Sequence, residues 1–267
     1  LGLPRFSLAV LGFVFLFSFF GSYLYDADPY MLHGDAILVV PSAEFWLGTD
    51  RLGRDILARL MEGGKISLII GVGSAFIGSL IGLILGAAAG YFRGGVDKGF
   101  VVTVDLFLTF PTFFLLLALV SYVNASALVL IVIISLTGWM TTARLIRSES
   151  FQITSQPYIK ILNIAGVKKL KILLKYYAPL LAPIYFVSFT FGVGGAILAE
   201  SGLSFLGLGI VAPQMSWGTM LSDGKEVIEI AWWVSFFPGL MIFLVTFSLV
   251  NISNYLQQLT NQKQIQS

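Results

Sequence analysis

The sequence predicts an all-α integral membrane protein with six transmembrane helices. Three observations carry that prediction. Of 267 residues, 57% are hydrophobic and only 11% charged, against roughly 45–50% and about 25% in soluble domains. Six stretches are long and apolar enough to cross a ~30 Å hydrocarbon core, which takes about 20 residues of helix. Arginine and lysine are also shared unequally among the segments that join those stretches. The net charge of +2 gives no broad basic face, so no nucleic-acid partner is expected. There is no cysteine and one histidine, His33, which removes disulfides, thiolate centres and imidazole clusters. No catalytic residue, cofactor or metal site is therefore expected. The whole of 1–267 reads as a single transmembrane unit.

The first span, 6–25, carries no charge; it is too long for a secretory signal and no small-residue cleavage site follows it. The second is 66–91. The third, 100–123, is interrupted by Asp105 and Pro111, and the fourth, 125–146, follows after a turn at Asn124. The fifth is 178–199 and the sixth 231–256, opened by Trp232 and Trp233 as interface aromatics. Six spans put both termini on one side. With the amino terminus in the cytoplasm, the inner segments hold Arg5, Arg93, Lys98, Arg144, Arg147, Lys160, Lys168, Lys169, Lys171, Lys175 and Lys263, against Asp97 and Glu149. The outer segments hold only Arg51, Arg54, Arg59, Lys65 and Lys225, against most of the acids. This bias sets both termini inside. Segments 26–65 and 201–230 are then periplasmic, and loop 147–177 is cytoplasmic.

Span two carries a small residue at every fourth position: Ser74, Gly78, Gly82, Gly86 and Gly90. Glycine costs helix stability, and small residues four apart share a face that lets another helix approach closely. Ordinary bundle packing explains the stripe; a sliding contact against a moving neighbour is compatible with it. Leu83 reads as an off-stripe position. Asp105, near a span end, faces water or pairs with Arg93 or Lys98. A proton relay would need further intramembrane acids, and only Glu200 is at hand.

The loop 147–177 is the most informative. Tyr158 to Ala165 is apolar and helix-compatible, and Gly166 interrupts it. Val167 to Tyr177 then resumes with Val167, Leu170, Leu173, Leu174 and Tyr177 on one face and Lys168, Lys171 and Lys175 on the other. This pattern suits an amphipathic helix at an anionic leaflet. It equally suits two short helices forming a knob that docks a cytoplasmic partner. No nucleotide-binding loop is present: Gly63-Gly64-Lys65 lacks the upstream glycine and the following hydroxyl. Gly192-Val193-Gly194-Gly195 reads as helix packing.

Several blocks resemble a known family. Leu47-Gly48-Thr49-Asp50-Arg51-Leu52-Gly53-Arg54-Asp55 before span two and Ala89-Gly90-Tyr91-Phe92-Arg93-Gly94-Gly95-Val96-Asp97 after it are two. Asp105 with Phe110-Pro111 is a third, and Ser204-Phe205-Leu206-Gly207-Leu208-Gly209 with Pro213 and Trp217-Gly218 completes the set. In order and spacing these resemble the inner-membrane permeases of dipeptide, oligopeptide and nickel ABC importers, over nearly the whole chain. The resemblance implies a coupling loop written E-A-A, three residues, G, nine residues, I-x-L-P. Gly166 and Pro179 stand at its separation, while Lys160-Ile161-Leu162 hold the E-A-A positions and Tyr176-Tyr177-Ala178 the I-x-L positions.

The resemblance further implies a permease subunit of the bacterial inner membrane, without ATPase activity of its own. Its partners would be a second homologous permease, two cytoplasmic ATP-binding subunits and a periplasmic or surface-anchored binding protein. Tyr158, Lys160, Ile161, Leu162, Gly166 and Pro179 would carry ATPase coupling. The substrate would be a short peptide or a nickel chelate. A secondary, ion-coupled transporter of small solutes is the rival reading; it would show inverted repeats and broken helices, and the sequence displays neither.

Overall fold

The computed structural model describes residues 3–266, with 261–266 as backbone only; the side chain of Lys263, among the counted cations, lies outside the described residues. The described residues form helices α1 (Arg5–Phe20), α2 (Ile56–Phe92), α3 (Gly94–Leu108), α4 (Thr112–Val120), α5 (Ala127–Ser155) and α6 (Pro157–Ile164), then α7 (Lys169–Ile172), α8 (Ala178–Phe205), α9 (Trp217–Lys225) and α10 (Trp233–Gln266). Five helical stretches are long and apolar enough to cross a membrane, or six if the bent pair α3–α4 counts as one. α2 has 37 residues, about 55 Å at 1.5 Å per residue. That exceeds a ~30 Å hydrocarbon core, so α2 links two ends of the bundle: one at Asp50, the other at Tyr177.

Several boundaries differ from the sequence expectation. α2 starts at Ile56, not Ile66, because Asp55 caps it, its Oδ1 accepting from Leu57 N at 2.7 Å and Ala58 N at 3.2 Å. Gly63 and Gly64 lie within α2 rather than in the segment joining spans one and two. A Cβ on Gly63 would stand 3.2 Å from Ser216 C, and one on Gly64 2.8 Å from the Trp217 ring; these glycines permit close packing. The third span is broken: α3 and α4 meet at a 76° bend. Pro111 offers no N–H and disfavours helix at the preceding residue. The expectation of unbroken helices is therefore corrected here. α5 runs on to Ser155, and the outer loop 201–230 contains α9, started by a Ser216–Thr219 capping box.

Leading into the fifth span, α7 continues into α8 through a π-helical turn, Leu173–Tyr177, closed by Ala178 N–H to Leu173 O. One widened turn shifts the helical phase, and the expected faces change with it. Ile172 and Tyr177 are fully buried, whereas Leu170 and Leu174 are exposed beside the lysines. Three apolar clusters hold the bundle. Val14, Leu60, Ile197, Trp217, Trp233 and Val245 pack at the Asp50 end and through α10. Ile70, Leu116, Leu130, Ile134 and Leu203 join α2, α4, α5 and α8. Tyr91, Ile146, Ile153, Ile159, Ile172, Tyr177 and Leu181 pack at the other end. Leu83 is half-buried against that last cluster, so it is not a neutral off-stripe position.

Candidate functional site

The small-residue stripe is a seam against α5. A Cβ on Gly78 would stand 3.4 Å from Ser135 O, and one on Gly82 2.8 Å from both Trp139 O and Thr142 Cβ. On Gly86 it would lie 3.0 Å from Ile146 Cβ, and on Gly90 2.9 Å from Arg147 O. Ser74 completes the row, its carbonyl accepting from Ser135 Oγ at 3.2 Å. Backbone meets backbone here because no side chain intervenes.

At the Tyr177 end the seam opens onto α6. This short helix closes with a Schellman motif: Gly166 N–H donates to Asn163 O and Val167 N–H to Leu162 O, both at 3.1 Å. Gly166 has φ +71°, and nothing stands within 4 Å of a Cβ placed there. The backbone conformation, not crowding, selects glycine. Ile159 is fully buried and Leu162 packs half-buried against the cluster, so Leu162 does not face outward with Ile161. The outward side presents Tyr158, Lys160, Ile161 and Ile164, with Ile161 63% and Ile164 87% exposed. Pro179 sits in the first turn of α8, past the π turn.

Close to this end, α3 is tied to α5 by charge. Arg147 donates to Asp97, with Nη2 to Oδ2 at 2.9 Å, and Asp105 pairs with Arg144 rather than with Arg93 or Lys98. Arg93 occupies φ +54° between α2 and α3, a costly conformation for a residue with a Cβ. Its guanidinium is held by Phe151 O at 3.1 Å and Ser155 Oγ at 3.2 Å, 4.9 Å from the Phe151 ring centroid.

The Asp50 end is a compact cap. Asp50 is 1% exposed. Its Oδ1 accepts from Leu52 N at 2.8 Å and Arg54 N at 3.0 Å, and its Oδ2 from Arg54 Nε at 2.7 Å, with Arg59 Nε at 3.4 Å. Asp223 faces the Arg54 and Arg59 guanidiniums at 3.2 and 3.3 Å. Gly48 and Gly53 take φ of +79° and +73° to make the turns around Thr49 and Asp50. Trp233 Nε1 donates to Thr49 O at 3.1 Å. Tyr25 Oη donates to Asp55 at 2.5 Å; burial, that hydrogen bond and the Asp55 charge push the phenol above its ordinary range, so it stays a donor. A cavity of about 520 Å³ opens here, lined by Arg51, Arg54, Arg59, Asp223 and the 207–215 loop.

These features belong to a chain whose residues 66–263 match the family described as binding-protein-dependent transport system inner membrane component. The chain belongs to that family. It is 34% identical over 260 residues to the dipeptide transport system permease protein DppC of Bacillus subtilis (strain 168), covering 96% of this chain and 80% of the relative. To the oligopeptide permease OppC of Haemophilus influenzae it is 31% identical, over 96% and 83% of the two chains. To the nickel permease NikC of Escherichia coli (strain K12) it is 31% identical, over 92% and 90%. Each of these relatives is named as the permease protein of a transport system. A chain of the MetNI methionine ABC transporter shares the fold at a TM-score of 0.57 and 16% identity, over 75% of this chain and 96% of that one.

In this permease the motif blocks quoted from the sequence fall in four places. Gly48, Thr49, Asp50, Gly53, Arg54 and Asp55 build the cap, Gly90 to Asp97 the α2–α3 corner, and Ser204 to Gly218 the approach to α9. Gly207, at φ +81°, closes α8 with a second Schellman motif, Leu208 N–H to Leu203 O and Gly207 N–H to Ser204 O, both 2.9 Å. Phe205 and Leu206 are exposed beside it. Pro111 makes the α3–α4 break. Trp217 is fully buried, its Nε1 donating to Leu60 O at 2.9 Å and its N–H to Ser67 Oγ at 3.1 Å. Gly218 lies against Ser201.

Glu200 is a residue whose part sequence reasoning missed. Fully buried in α8, it accepts from Ser204 Oγ and Ser216 Oγ, each at 2.6 Å, with Ser67 and Ser201 alongside. It pins the α9 cap to α8. The i,i+4 spacing to Ser204 was legible; the partner sixteen positions on was not.

Proposed function

We propose that this chain is one of two homologous permeases enclosing the path of an ATP-driven importer, with both termini and segment 147–177 in the cytoplasm. A periplasmic or surface-anchored binding protein delivers the solute, a short peptide or a nickel chelate, to the Asp50 end. Two ATP-binding subunits bear on α6 and, through it, bias the bundle between inward-open and outward-open states. ATP shifts that equilibrium only by differential binding at the partner. The observation that carries this reading is the division of α6. Ile159 and Leu162 are bound into the bundle, while Tyr158, Ile161 and Ile164 present apolar surface away from it. Such surface on a short helix anchored along its other side suits a docking cleft.

The test uses the assembled importer, reconstituted with both ATP-binding subunits. Ile161→Asp is expected to detach or uncouple them, since a desolvated charge in the cleft costs a few kcal/mol, about 3–5. Gly166→Val is expected to do the same by straining the turn, and Lys160→Glu to weaken coupling if Lys160 meets an acidic or carbonyl group. Full binding-protein-stimulated hydrolysis in both Ile161→Asp and Gly166→Val would sink the docking assignment.

Orientation has its own check. Single cysteines at Ser42 and Gln214 are expected to react with an impermeant maleimide in intact cells, and those at Ser155 and Asn163 only after lysis. All four positions are exposed. Ser216 is unsuitable because it is fully buried, and Ser222 is half-buried, its hydroxyl directed at Phe205 O. The reverse labelling pattern would invert the topology.

A further inference from the structure

We infer that Tyr91 is the positioning residue that makes α6 move as one body with α2, α5 and α8; this rests on the reading of α6 as the ATPase-docking segment. An apolar contact alone lets a short helix slide, because the hydrophobic effect has no direction. A hydrogen bond to a fixed atom does not. Tyr91 ends α2, is 8% exposed, and its Oη donates to Asn163 Oδ1 on α6 at 2.9 Å. The amide is itself oriented, since Asn163 Nδ2 donates to Ile159 O at 3.0 Å. With both amide atoms engaged, Oδ1 is held toward Tyr91.

The Tyr91 ring also meets the Tyr177 ring edge-on, centroids 5.4 Å apart at 86°, a favoured aromatic geometry. Tyr177, 1% exposed, lies in the π turn that leads into α8. Its hydroxyl bonds Thr154 Oγ1 on α5. Thr154 has a single proton, directed at Ser150 O (2.7 Å) or Gly90 O (3.1 Å), so Tyr177 is the donor of the shared bond. The circuit closes at Gly90, the residue before Tyr91 and the last member of the seam, where α2 and α5 touch backbone to backbone. Four helical elements thus meet within one set of directional contacts. A push on the outward side of α6 is delivered to the ends of α2, α5 and α8 together.

The experiment uses the full importer in lipid nanodiscs with its binding protein as purified and MgATP. Tyr91→Phe keeps ring and packing and removes one hydroxyl; Asn163→Leu removes the acceptor; Asn163→Asp loses the Nδ2 donation to Ile159 O but offers the Tyr91 hydroxyl a charged, stronger acceptor at an exposed position. Tyr91→Phe and Asn163→Leu are expected to retain the ATP-binding subunits on co-purification and to keep basal hydrolysis. Their stimulation by binding protein should fall about fivefold, the factor that one ordinary hydrogen bond commands. Asn163→Asp should keep the stimulation, and the double variant Tyr91→Phe/Asn163→Leu should be no worse than either single, since one bond is lost in each case. Full stimulation in either single variant, equal loss in Asn163→Asp, additive losses in the double, or release of the ATP-binding subunits from Tyr91→Phe would overturn the inference. If Ile161→Asp itself leaves docking and stimulation intact, the docking reading has failed. If it uncouples while Tyr91→Phe does not, only the role of Tyr91 has failed.

Discussion

Gly86→Leu is expected to abolish stable assembly of the bundle. The Cβ alone would meet Ala143 O and stand 3.0 Å from Ile146 Cβ and 3.1 Å from Arg147 N. Backbone atoms of a packed helix cannot swing aside as a side-chain tip can. The added isobutyl group therefore forces α2 and α5 apart along the seam, at more than about 3 kcal/mol, the upper range for overpacking a filled core. Gly82→Leu meets Trp139 O and Thr142 Cβ at 2.8 Å and is expected to behave alike. The control is Gly195→Leu in α8, the same substitution where nothing stands within 4 Å of the new Cβ. Membrane insertion and protease resistance of the detergent-solubilised chain give the readout. Equal resistance of Gly86→Leu and Gly195→Leu would show that the seam tolerates separation.

Asp50→Ala is expected to be nearly as damaging, for a different reason. Removal of one carboxylate takes from Arg59, 3% exposed, the more buried of its two acidic partners, takes the acceptor from Arg54 Nε, and leaves two backbone N–H groups of the cap without an acceptor, with Asp223 alone facing both guanidiniums. Breaking a buried pair while leaving the other charge in place costs about 3–5 kcal/mol. Asp223→Ala touches the same guanidiniums from a side that is 27% exposed, where solvent screening reduces the loss to about 1 kcal/mol. The cap also carries Thr49 O, which receives Trp233 Nε1, so the defect should spread to the start of α10. Thermal unfolding of the purified chain should rank Asp50→Ala well below Asp223→Ala. Reversal of that order would mean Asp50 serves something other than the integrity of the cap.

The sequence by itself determined the broad chemistry of this permease. Long uncharged apolar runs have a single cheap environment, so the membrane setting follows from composition. The stripe from Ser74 to Gly90 and the interruption at Gly166 were equally legible. Side-chain size at a fixed period and a glycine after an apolar helix are local signals, and both reflect local geometry, a flat helix face and a positive φ. The family blocks were legible because several short motifs stood in order.

What only the tertiary structure decided is whatever depends on a partner distant in sequence. Pro111 could be read as an interruption, but the 76° bend between α3 and α4 depends on how the two halves pack. α2 is capped by Asp55 ahead of its apolar run, and the close packing that uses Gly63 and Gly64 in that added stretch is against Ser216 and Trp217, residues far along the chain. Asp105 finds Arg144 and not the nearer cations, because a helix corner at Arg93 folds α3 back along α5. The burial of Ile172 and the exposure of Leu174 follow from one π turn, which changes the helical period on which any pattern reading depends. Glu200 and Ser216, like Tyr91 and Asn163, come together across helices. Local periodicity names the face a residue shares, while the packing of one helix on another names what that residue meets.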